Sequence, residues 1–90
     1  MAHPFNPNWR VHPSETLREI MRDKGVNQSV AATMLGVSTS FLNDFLHGKR
    51  GVGQQFAVKL AEAFGPSAGF WMRLQANYDV PITKTEEEHV

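Results

Sequence analysis

The residues of this chain that could do chemistry are hydrogen-bonding rather than nucleophilic or metal-ligating, and they cluster between Asn27 and Arg50. The stretch Asn27-Gln28-Ser29-Val30-Ala31-Ala32-Thr33-Met34-Leu35-Gly36-Val37-Ser38 reads as two short helices joined by a tight turn at Gly36-Val37. Small Ala32 lets two helices cross closely, and Gly36 can take the positive φ that ends the first. Val37 can plug the space between them, and Ser38 can start the second. A helix pair of this shape can lay its second helix in a DNA major groove. Other chemistries lack a residue set. No serine stands in a nucleophile-elbow pattern and no carboxylate pair forms an evident dyad. His3, His12, His47 and His89 include no i, i+4 pair, so no metal is expected. Gly48, Gly51 and Gly53 follow no strand pattern and precede no Gly-Lys-Ser/Thr, so they do not form a phosphate-cradling loop. Neither a cofactor nor an enzymatic activity is expected.

The elements that must position these residues follow from periodicity and stop signals. Ser14 is a plausible N-cap, with Glu15 favourable in the first turn. Leu17, Ile20 and Met21 recur at helical spacing and Gly25 stops the run, which predicts a first helix over 14–24. Asn27 caps a second helix whose inner face is Ala31, Ala32 and Leu35, ended by Gly36. Ser38 caps a third, with Leu42, Phe45 and Leu46 inward and Gly48 closing it. Lys49 to Gly53 is a loop. A fourth helix over 54–64 carries Phe56, Ala57, Leu60, Ala61 and Phe64 on one face. Gly65-Pro66 breaks the chain, and Ser67 caps a fifth helix with a stripe of Phe70, Trp71, Leu74 and Tyr78. Period-2 alternation is absent. The expected architecture is an all-α bundle of five helices over 14–80, with a helix-turn-helix pair at its second and third. An extended N-terminal arm, 1–13, precedes it, and a disordered acidic tail, 81–90, follows it. Phe5 and Trp9 would pin the arm to the core or meet a partner.

Ninety residues suit one domain. The chain lacks cysteine, which excludes disulfides and thiolate metal sites. No apolar run approaches the roughly 18 residues that span a membrane, and the N-terminus does not read as a signal peptide, so a cytoplasmic protein is expected. The formal net charge is zero, which alone argues against nucleic acid as a partner. The tail conceals an asymmetry: without Lys84, Glu86, Glu87 and Glu88, eight basic and six acidic residues remain. Any grip on DNA would rest on local placement rather than on a strong global field.

From Ser14 to Phe64 the chain resembles the helix-turn-helix family of phage-repressor type, which implies an all-α, five-helix, phage-repressor-like helix-turn-helix bundle. His12-Pro13-Ser14-Glu15, Gly48-Lys49-Arg50-Gly51 and Phe70-Trp71-Met72-Arg73-Leu74-Gln75-Ala76-Asn77-Tyr78-Asp79 look like the HigA/VapI antitoxins. The resemblance implies a homodimer that binds a palindromic operator in double-stranded DNA and represses its own gene pair. It also implies a partner, a HigB-type toxin that cleaves mRNA and is silenced by direct binding.

On the matched positions the third helix, Ser38 to His47, is the recognition helix, with Thr39, Ser40, Asn43, Asp44 and His47 outward. Asn43 suits bidentate pairing with an adenine edge, and Thr39 and Ser40 suit bases or phosphates. Gln28 stands where the family touches a phosphate, and Lys49 and Arg50 suit the DNA backbone. Three positions depart from the family. Ala31 replaces a larger aliphatic, so the second helix should sit closer to the core. Asp44 occupies a position that is often basic; its carboxylate repels phosphate, although it can accept from a cytosine amino group. Phe41 either meets a thymine methyl or completes the core. Two other readings stay open: a stand-alone repressor of the same fold without a toxin, and an interaction module that has lost DNA binding.

Overall fold

The computed structural model describes residues 11–79, so the expectations for Phe5 and Trp9 and for the acidic tail 81–90 lie outside the described residues. Five helices follow one another: α1 (Pro13–Lys24), α2 (Gln28–Leu35), α3 (Thr39–Leu46), α4 (Gln54–Phe64) and α5 (Ala68–Asp79). No helix among the described residues is long and apolar enough to cross a membrane.

Local chemistry sets most of these boundaries. The Asn27 side chain accepts the Val30 N–H at 2.8 Å, Ser38 Oγ accepts the Phe41 N–H at 2.9 Å, and Ser67 Oγ accepts the Phe70 N–H at 3.1 Å. Each satisfies a donor that the first turn of a helix leaves without a partner. Gly36 ends α2 at φ 71°, and the Val37 N–H reaches back to the Ala32 carbonyl at 3.0 Å. An L side chain at that φ is strained.

The start of α1 differs from expectation. Its N-cap is His12, whose Nδ1 accepts the Ser14 N–H at 3.0 Å, and Pro13 opens the helix. Ser14 is buried inside the first turn instead. Proline suits that place because its missing N–H would have had no helical partner. The expected arm therefore loses its last residue to α1, and His12 joins the domain. The third helix is also shorter than expected, because Ser38 and His47 flank it as caps.

The core joins one face of every helix. Leu17, Ala31, Leu42, Phe45, Ala57, Leu60 and Trp71 are fully buried, with Ala32, Leu35, Val52 and Phe56 nearly so. Burying a large side chain of this kind stabilises by about 1.5–3 kcal/mol. Phe45 and Phe56 meet edge-on at 5.0 Å and fix α3 against α4. Ala31 and Ala32 are both sealed, so the small inner face of α2 lies within the core. Trp71 anchors α5, and its indole N–H donates to the Gly65 carbonyl at 2.8 Å. The polar tip of Trp71 is thus satisfied within the domain.

Candidate nucleic-acid interface

With Leu42, Phe45 and Leu46 buried, helical geometry turns the remaining positions of α3 outward. Thr39, Ser40 and Asn43 are exposed, and Asp44 is half-buried at its edge. This polar face is held by two elements. Gln28, at the first position of α2, donates from its side-chain nitrogen to Asn43 Oδ1 at 3.3 Å. At the other end of α3, Arg18 Nη2 donates to the Leu46 carbonyl at 2.8 Å. A cation there also complements the helix dipole.

The sequence-derived site residues fall into three groups. Gln28 and Asn43 are brought together as just described. His47 caps α3, and its Nδ1 donates to the Asn43 carbonyl at 2.8 Å, so its ring folds back along the helix end. Ser38 has its hydroxyl committed to the Phe41 N–H, while Thr39, Ser40 and Lys49 are exposed.

Asp44 and Arg50 form the third group. Their side chains pair at 3.6 Å, and the Arg50 guanidinium lies 4.2 Å above the centre of the Phe41 ring. Phe41 in turn packs edge-on against Phe56 at 5.1 Å. Phe41 therefore completes the rim of the core and also serves as a platform for Arg50. The charge of Asp44, which would oppose a phosphate alone, is balanced locally. Both partners are more than a third exposed, so the pair contributes at most about 1 kcal/mol to stability. Its main effect is to orient Arg50.

For several residues at this site, periodicity and capping patterns give no sign of the contacts they make. His12 has no capping signature, because histidine is not a preferred N-cap. Gln75 lies 23 residues beyond Val52 yet accepts its N–H at 2.8 Å. Arg18 is, in sequence, one more charge on α1. Each acts on α3 or on the loop after it through a long-range contact, which periodicity does not encode.

Residues 17–71 match the sequence pattern of a helix-turn-helix family. Virulence-associated protein I of Dichelobacter nodosus is 30% identical over 81 residues, which cover 89% of this chain and 75% of that protein. A Pseudomonas aeruginosa protein solved in complex with its 18 bp operator DNA superposes with a TM-score of 0.79 at 30% identity, covering 92% of this chain and 94% of that one. The Pseudomonas aeruginosa antitoxin HigA, solved with the higBA promoter, superposes at 0.78 and 30% identity, covering 90% of this chain and 89% of the other.

Proposed function

The chain belongs to the helix-turn-helix family, among the relatives of virulence-associated protein I, and from that premise we propose that it is a DNA-binding antitoxin. In this reading it forms a homodimer, represses its own operon and neutralises a HigB-type mRNA-cleaving toxin. The observation that carries the reading is the polar face of α3, which stands exposed opposite a fully buried apolar face. The likeness to proteins solved with operator or promoter DNA supports it.

The two recognition helices of a dimer would enter half-sites about one helical turn apart. Asn43 reads an adenine edge: its Oδ1 has a second lone pair beyond the one Gln28 uses, and its NH2 is a donor. Thr39 and Ser40 contact bases or phosphates. Gln28, Lys49 and Arg50 contact the DNA backbone, Ser38 supports them at the start of the helix, and His47 lies at its end. Asp44 accepts from a cytosine amino group when Arg50 turns to a phosphate.

Two measurements test this. The purified chain should retard a duplex taken from upstream of its own gene, and lose affinity steeply as salt rises. Co-expression with the neighbouring gene should give a complex in which ribosome-dependent mRNA cleavage is silent. No DNA affinity even at low salt would overturn the DNA-binding reading. Tight operator binding without a co-purifying neighbour would leave a stand-alone repressor.

A further inference from the structure

The loop that follows α3 is held on both sides of Gly51 by side chains from opposite ends of the sequence, His12 before α1 and Gln75 in α5. A carbonyl oxygen can only accept, so His12 Nε2, 3.1 Å from the Arg50 carbonyl, carries the ring proton and donates it. Nδ1 of the neutral ring is then the acceptor for the Ser14 N–H at 3.0 Å, with the Ser14 hydroxyl 2.8 Å away. The ring is wedged between Phe45, at 5.4 Å, and Tyr78, edge-on at 4.9 Å. On the far side, Gln75 Oε1 accepts the Val52 N–H at 2.8 Å, and Nε2 donates to Asp79 Oδ1 at 2.9 Å. The fit over Gly51 is so close that a Cβ there would meet Gln75 Oε1 at 2.5 Å.

We infer that His12 and Gln75 are positioning residues for the DNA-contacting loop. They fix the Arg50 carbonyl and the Val52 amide, and so the directions in which Lys49 and Arg50 leave the backbone. The inference rests on the reading of Lys49 and Arg50 as phosphate contacts. A loop ordered in advance loses less conformational entropy when it meets a phosphate. The His12 bond to Arg50 is solvent-exposed, so it adds little to the stability of a bundle whose core lies elsewhere. Its consequence falls on geometry.

His12→Asn separates the two functions of the ring. Asparagine is among the best N-caps and keeps an acceptor for the Ser14 N–H, but it is too short to reach the Arg50 carbonyl. The variant also gives up the ring contacts with Phe45 and Tyr78, worth about 0.5–1.5 kcal/mol each, so it should stay folded at a lower melting midpoint. Measured well below that midpoint, it should bind the upstream duplex about three- to tenfold more weakly, the worth of one hydrogen bond. The slope of log affinity against log salt should also fall by about one for each phosphate no longer neutralised, as it should in Lys49→Ala. A merely structural role would leave that slope unchanged in the folded protein. Gln75→Leu should lower the slope in the same way. If Lys49→Ala weakens and flattens binding while both positioning variants match the parent in affinity and slope, the positioning role is overturned and the reading of the loop as a phosphate contact stands. If Lys49→Ala combined with Arg50→Ala binds like the parent, the loop does not meet DNA, and both readings fall.

Discussion

The Gln28 side chain donates to Asn43 Oδ1 at 3.3 Å, so the first residue of α2 sets the rotamer of the central polar residue of α3. The two lie 15 residues apart in the chain and meet because the Gly36 turn folds α2 back over α3. An amide held this way keeps its NH2 and one oxygen lone pair for an external partner.

If Asn43 reads a base, Asn43→Ala costs about 1–3 kcal/mol at one position of the operator and little on an unrelated duplex. Gln28→Ala costs less, and the double variant loses less than the sum of the two, because the residues act as a unit. Fluorescence anisotropy titrations of the four proteins close the cycle. Strict additivity would mean that the bond between the two side chains has no bearing on recognition.

Asp44→Ala removes the carboxylate beside Arg50 and returns one positive charge to the surface. Folding stability should change by no more than about 1 kcal/mol. Affinity for an unrelated duplex should rise, and the salt dependence should steepen by about one. Titrations at several salt concentrations read both effects.

Gly51→Ala places a Cβ against the Gln75 amide. The amide ends a flexible side chain and can move aside, so the cost is that of its bond to the Val52 N–H, about 0.5–1.5 kcal/mol, which lowers the melting midpoint by a few degrees in a domain of this size. Gly53→Ser is the matched control. A Cβ at Gly53 meets nothing within 4 Å, its φ of −88° suits any residue, and α4 lacks a side-chain cap. A serine there should hold or slightly raise the midpoint. Calorimetry on both variants would decide the matter.

Trp71→Phe keeps most of the ring packing but removes the donor to the Gly65 carbonyl. It should cost about 1–3 kcal/mol. Trp71→Ala opens a cavity where the parent side chain is fully buried and costs about 3–5 kcal/mol, most of the stability available to a small domain. Urea denaturation followed by circular dichroism gives both values.

The sequence is informative wherever the governing contact is local. Asn27, Ser38 and Ser67 cap the helices that their positions predict, because a cap bond spans only three residues. Leu42, Phe45 and Leu46 lie inward because helical periodicity puts them on one face. The turn at Gly36 is legible for the same reason, since a positive φ is a property of one residue. The α1 boundary is not legible in this way: Ser14 has the chemistry of a cap, while the chain uses His12 and buries Ser14 instead.

What the tertiary structure alone decided is how the polar face is held. In sequence Phe41 suits a base contact or the core, and its packing on Phe56 and under Arg50 assigns it to the rim of the core. Taken by itself Asp44 is an unfavourable charge, and only the fold brings Arg50 beside it. His12 and Gln75 meet the same loop from 38 and 23 residues away. Helical periodicity and capping operate over a few residues, so they specify which faces exist. Which side chains close across those faces depends on how whole helices dock, and that is settled by the packing of the core.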